Sequence, residues 1–385
     1  MSIRIGAAIS HSNDARSAAI EAAQEAAGAL AGARADVAVV FACGTHLAAP
    51  ETLLEGVHEA LRPASLIGCG AAGVLGSGKE VESGTAVAVW VAALRDGTVR
   101  SFHATASADD GEIAGLPALA GASGAIVLPD PYTFDTRALL DALRTQGARM
   151  PLLGGQASGR TFEGSAALFR DELVLEDGAV GLVFEGVPVS PYVSQGAAPL
   201  GPELTITRAD GRIVQELAGR PALVKLREVF DELDERDQRR IRSGLLIGIV
   251  IDAGKPEYEQ GDFLVRGVVG ADSDSGSIAL GEEVHAGQIV RLHARDARSA
   301  DRDLEEGLQA HRAALGGTAP AGALCFSCTG RGRAMFDVAD HDAALLARVL
   351  ADAPTAGFFA AGEIGPVRGE CFQHTFSASV ALFSA

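Results

Sequence analysis

The chain has 385 residues, with 32 basic against 50 acidic side chains and a net charge of -18. That charge repels phosphate backbones and anionic lipid, which excludes nucleic acid and membrane surfaces as natural partners. Five cysteines, an odd number, do not make a disulfide framework; Met1 is not followed by a signal-type apolar core, and the location expected is cytoplasmic. The longest charge-free stretch, 113–129, is interrupted by Pro117 and three glycines, so no membrane insertion is expected.

In chain order, a strand over 3–9 precedes His11-Ser-Asn-Asp14, which offers helix caps, and an Ala-rich helix reaching Ala33. Residues 37–41 read as a buried strand. Pro50 opens a helix with Leu53, Leu54, Val57 and Leu61 at helical spacing, and Leu66-Ile67 leads into Gly68-Cys-Gly-Ala-Ala-Gly73. A strand over 85–94 is apolar on both faces, so both are expected to be covered. The same order recurs with a strand at 125–128 and a helix capped by Asp135 or Thr136 and carrying Leu139, Leu140 and Leu143. Leu152-Leu153 then leads into Gly154-Gly-Gln-Ala-Ser-Gly159. A third copy has a strand at 323–326, a helix over 340–350 and Gly357-Phe-Phe-Ala-Ala-Gly362. All three turns fit G-x-x-A-[AS]-G, which points to one supersecondary unit used repeatedly.

Short strands are expected at 166–169, 173–175 and 179–184. Between Gly186 and Gly211, Pro188, Pro191, Pro199 and Pro202 break regular structure and place a boundary between domains 1–209 and 210–385. A helix over 221–233, a charged loop or solvated face over 231–242 and a meander of four strands between 245 and 293 follow. A helix over 296–315, stopped by Gly316-Gly317, and a closing strand over 376–383 complete the order. The fold class implied is α/β, with two related lobes of mixed β-sheets flanked by helices, built from repeated strand-helix-strand units.

Several motifs imitate known sites. Gly68-Cys-Gly70-Ala-Ala-Gly73 has dinucleotide spacing, but no helix follows it. Gly73 to Lys79 imitates a P-loop, yet Glu80 would bring negative charge where a hydroxyl should bind magnesium. Asp272-Ser-Asp-Ser-Gly276 is better read as a hairpin turn than as a calcium loop. Cys325-Phe-Ser-Cys328 has no further local metal ligands. Arg331 and Glu363 stand out because glycines flank them. The guanidinium could grip a ligand carboxylate while Glu363 takes an ammonium, with an internal Arg331–Glu363 salt bridge as the structural alternative. His46 and His374 lie near strand ends.

Phe326-Ser-Cys328-Thr-Gly-Arg331-Gly-Arg333, Gly357-Phe-Phe-Ala-Ala-Gly362-Glu363-Ile-Gly365-Pro366 and His374-Thr-Phe-Ser-Ala-Ser-Val-Ala-Leu-Phe383 together resemble the carboxy-terminal FIST domain. Residues 36–41, Leu66 to Gly73 and the strand to Leu94 resemble its amino-terminal partner. The resemblance implies a sensory module that binds a small ligand, an amino acid or related polar metabolite, and signals to a partner protein in trans without catalysis. The expected ligand-binding residues are Cys328, Arg331, Gly362, Glu363, Gly365 and His374. No cofactor or metal is expected; the alternative is haem, as in family members described as nitric oxide sensors, with His46, His293 or His374 as the axial candidate. A third class is an enzyme using Cys328 with His374.

Overall fold

The protein is described by a computed structural model covering residues 3–107, 112–145, 150–242 and 244–384. Its packing divides into two compact units. The first comprises Met1–Val193, Leu304–Gln373 and Ala378–Ala385, and the second Ser194–Asp303 with His374–Ser377. A cut at 209 divides the chain by sequence domain, whereas these units divide it by packing.

The fold is α/β with mixed sheets flanked by helices. Three β-α-β copies form the first unit: Val37–Cys43, Pro50–Ala60 and Ser65–Ala71; Ala122–Pro129, Thr136–Thr145 and Leu152–Gly155; and Gly322–Cys328, His341–Val349 and Thr355–Ala360. Within each copy the two strands pair in parallel. Each leading strand also pairs antiparallel with a later one, Ala86–Ala93, Ala179–Glu185 or Ser377–Phe383. The helix starts follow the sequence: Pro50 occupies the first turn, and Asp135 Oδ1 accepts from the amides of Arg137 and Ala138.

The three copies exchange strands in a closed cycle. Beyond the first turn, Val74–Gly76 joins the sheet of the third copy, against Ala356 to Phe358. Beyond the second, Leu168–Arg170 joins the first, against Ile67 to Cys69. Beyond the third, Glu363–Val367 joins the second, where Glu363 is opposite Gly155.

This cycle explains the repeated small residues. The first glycine of each turn lies beside the parallel strand, and a Cβ there would stand 2.0 Å from Val40 O at Gly68, 1.8 Å from Val127 O at Gly154 and 1.8 Å from Cys325 O at Gly357. The last glycine of the second turn, Gly159, touches the first turn, since a Cβ there would lie 2.5 Å from Ala71 N. Ser158 Oγ accepts from Ala72 N (2.8 Å) and donates to Phe359 O, linking all three turns. The motif is architecture, as its repetition implies.

The inner faces of the three sheets share one core, with the ring centroids of Phe41 and Phe358 4.9 Å apart and those of Phe326 and Phe358 5.8 Å apart. Helices cover the outer faces. On strand Ala86–Ala93, Ala88 and Trp90 face the shared core while Val87, Val89 and Val91 face the helices, so both faces are covered.

The second unit is an antiparallel meander in which Ala197–Asp210 pairs with both Ile289–Arg295 and Ile213–Leu217, closing the sheet on itself. One local expectation is corrected and one, the solvated face of the charged region, is made specific. The proline-rich stretch is not irregular: it forms strands Val189–Gln195 and Ala197–Asp210, with a register shift between Leu200 and Glu203 at Gly201-Pro202. The charged region contains a helix, Glu235–Arg242, with acids in its first turn and arginines in its last. No described helix is long and apolar enough to cross a membrane.

Candidate functional site

The polar residues of the third copy converge where strand Gly322–Cys328 ends and helix His341–Val349 begins. Arg331 is 1% exposed. Its Nε and Nη2 donate to Asp342 Oδ2 and Oδ1 at 2.8 Å each, a two-pronged grip that fixes the guanidinium plane. Ser327 Oγ donates to Asp342 Oδ2 (2.7 Å), and His341 Nδ1 lies 2.9 Å from Oδ1. Phe336 floors the group: its ring lies 5.1 Å from the guanidinium carbon and stacks on His341.

The electrostatics follow. Burial alone would raise the Asp342 pKa, but the Arg331 charge overrides it and holds the carboxylate well below its ordinary range. Burial likewise opposes the Arg331 charge, and Asp342 outweighs it, so the guanidinium pKa rises. Burial, then the Asp342 charge, push the Cys325 thiol well above its ordinary value; Arg331, Glu80 and Glu363 also act on it through space. An activated thiolate is not available at Cys325.

The open alternative of an Arg331–Glu363 salt bridge is replaced by a different bidentate partner, Asp342, while Glu363 contributes to the raised Arg331 pKa through space. Arg331 Nη1 remains buried without a hydrogen-bond partner. In the neighbouring turns Thr329 and Ala361 are exposed and Gly330 is partly so.

Among the other expected residues, Cys328 is buried at the end of its strand, its Sγ 3.4 Å from Gly330 N. Glu363 is fully buried at the start of Glu363–Val367. Gly362 makes room for an amide pair, since a Cβ there would lie 2.6 Å from Gln156 Oε1 and 2.9 Å from Gln373 Nε2. Gly365 is a close-packing position, 2.4 Å from Val193 Cγ2 by the same measure. The structure thus brings together Cys328, Arg331 and the Gly362–Gly365 segment in the first compact unit. His374, also buried, belongs to the second.

Sequence reasoning did not single out Asp342, Ser327, His341 or Glu80. Asp342 reads as an ordinary first-turn acid of the expected helix, and Glu80 drew notice only as the residue that spoils a P-loop. By strand register Arg331 is the counterpart of His46 in the first copy and Thr133 in the second. His46 is buried, and burial lowers its pKa.

Residues 36–220 match the family described as FIST N domain and residues 222–366 that described as FIST C domain. The chain is similar over its full length to uncharacterized proteins of mycobacteria. Rv0628c of Mycobacterium tuberculosis (strain H37Rv) is 41% identical over 99% of this chain and 100% of its own. Mb0898c of Mycobacterium bovis is 40% identical over 99% of each chain.

Proposed function

Because the chain belongs to the FIST family, whose domains are sensory, we propose that it binds a small polar metabolite, an amino acid or a related molecule, at the strand ends of the third copy. The supporting observation is Arg331 Nη1, a buried charged donor with no hydrogen-bond partner, two residues along the chain from the exposed Thr329. Leaving such a donor unsatisfied costs about 1–3 kcal/mol or more, which a ligand oxygen would recover. Asp342 takes the N–H of Nε and one of Nη2, which leaves Nη1 to meet a ligand carboxylate. Glu363 supplies the anionic side of the site and Gly362 its backbone. In this reading the protein performs no catalysis. Occupancy reorders the turn at Ala361, and a signalling protein in trans reads the shifted population.

Thermal shift with a panel of amino acids and small carboxylates tests this. The native chain is expected to gain stability with at least one compound, and Arg331→Lys and Ala361→Leu, which enlarges the exposed residue beside Gly362, to lose that gain. No stabilisation at millimolar concentrations, or an equal gain in both variants, overturns the assignment.

A second reading, haem-based gas sensing, is favoured by His293 in the second unit. Its imidazole is buried, burial pulls its pKa down to about 4, and Nε2 has no hydrogen-bond partner. A neutral imidazole nitrogen of this kind can ligate iron. Haem titration decides: a stoichiometric Soret band absent from His293→Ala supports it, and no band in the native chain removes it.

A further inference from the structure

The hairpin that leaves the first turn, strands Val74–Gly76 and Lys79–Val81, is fastened to the third copy through its tip. Glu80 N donates to Asp340 Oδ1 (2.8 Å), Lys79 Nζ lies 2.9 Å from Asp340 Oδ2, and Ala343 N donates to Glu80 Oε1 (3.0 Å). The other carboxyl oxygen, Glu80 Oε2, is shut off from solvent and has no hydrogen-bond partner.

A half-satisfied carboxyl tolerates that position when neutral and resists it when ionised, because a desolvated anionic oxygen needs donors. The charges around it do not supply them. Burial, then the Asp342 charge from the helix and that of Glu82 from the hairpin itself, oppose ionisation and outweigh the backbone amides of Ala343 and Asp342, which favour it. The cations are engaged elsewhere: Lys79 with Asp340, and Arg331 with Asp342, whose Oδ1 also meets His341. Glu363 and the Cys325 thiol complete the titratable surroundings of this cluster, and neither adds a fixed positive charge.

We propose that Glu80 makes this hairpin a proton-sensitive strap on the third copy, fastened while the carboxyl is neutral and loosened when it ionises and draws water to Oε2. The strap pairs with Ala356 to Phe358, which run into the third turn at Gly357, so its release frees the start of that turn. The device is independent of what the site binds. Burial, then the Asp342 charge, push the Glu80 pKa up to about 7, which places the change in the neutral range. The folded-state value lies above the unfolded one, so the associated stability is complete below the unfolded value and is lost as pH rises through the folded one.

Hydrogen exchange of the full chain, corrected for the intrinsic pH dependence of exchange, tests this. Protection of Val74–Gly76 and Lys79–Val81 is expected to fall by up to roughly tenfold per pH unit between the ordinary glutamate value of 4.5 and the folded value of about 7, and to level off above it. Strand Gly322–Cys328 should show no such step. Glu80→Gln should give strap protection independent of pH, and Lys79→Ala should lower protection while keeping the step. A native strap with flat protection, a step retained in Glu80→Gln, or an equal step in Gly322–Cys328, which would mark global loosening, overturns the proposal.

Discussion

Arg331 and Asp342 hold each other through two parallel hydrogen bonds, with neither side chain exposed at all. Both charges are out of water, so removing one leaves the other without compensation. Asp342→Asn keeps the shape but strands the guanidinium, and is expected to cost about 3–5 kcal/mol in urea unfolding. Glu59→Gln, which breaks the exposed Arg16 pair, is expected to leave the unfolding midpoint unchanged. Equal effects of the two substitutions would show that the buried pair is not the stronger restraint.

The first glycine of each turn makes a second, threefold prediction. At Gly68, Gly154 and Gly357 an added Cβ meets a neighbouring carbonyl oxygen within 2.0 Å, and that oxygen belongs to the backbone of a paired strand, which cannot swing aside as a side chain would. Each Gly→Ala change is expected to destabilise by about 3 kcal/mol or more, the upper end of overpacking costs. Gly28, at the end of helix Ala15–Gly28, has nothing within 4 Å of the added atom. Gly28→Ala should stabilise by about 0.5–1 kcal/mol, the ordinary helix preference. Denaturant midpoints of the four variants check the contrast.

His293 gives a pH dependence. Burial lowers its pKa from 6.5 to about 4 in the folded chain. The folded state therefore takes up the proton less readily than the unfolded state, and stability is complete above pH 6.5 and lost as pH falls toward 4. The loss approaches about 3 kcal/mol at the acid end, at about 1.4 kcal/mol per pH unit. Comparing melting curves of native chain and His293→Gln over that range isolates the contribution. Parallel curves would remove it.

The parts of the fold visible in the sequence were those carried by local pattern. Strand, helix and turn of each copy are contiguous, and the glycine demanded by a neighbouring carbonyl stands in the motif itself. The strand exchange pairs residues far apart in the chain, such as Leu168 with Cys69, Gly155 with Glu363 and Val74 with Phe358, and no local pattern encodes it. Val74–Gly76 follows a Gly-rich turn and reads as loop until Ala356 to Phe358 supplies its partner. The prolines misled because Pro202 sits at a bulge and Pro191 and Pro199 on strands with an open side, where a missing amide costs little, while Pro188 only precedes its strand. At the candidate site, flanking glycines singled out Arg331 and Glu363. Asp342 and Glu80 escaped notice because a carboxylate at a helix start or hairpin tip is unremarkable until a buried cation stands beside it.

The cyclic exchange of strands also fixes an order of events during synthesis. The sheet of the first copy needs Leu168–Arg170, that of the second needs Glu363–Val367, and that of the third needs both Val74–Gly76 and Ser377–Phe383. No copy can complete its hydrogen bonding from its own segment, and the last contribution comes from the final strand. Such long sequence separations slow folding and leave open strand edges until the end. A nascent chain stopped short of Ser377 holds one unfinished sheet, that of the third copy, whose strand Gly322–Cys328 lacks its antiparallel neighbour, so the first unit closes only once Ser377–Phe383 has been made, and truncation there should yield aggregation in place of a smaller stable protein.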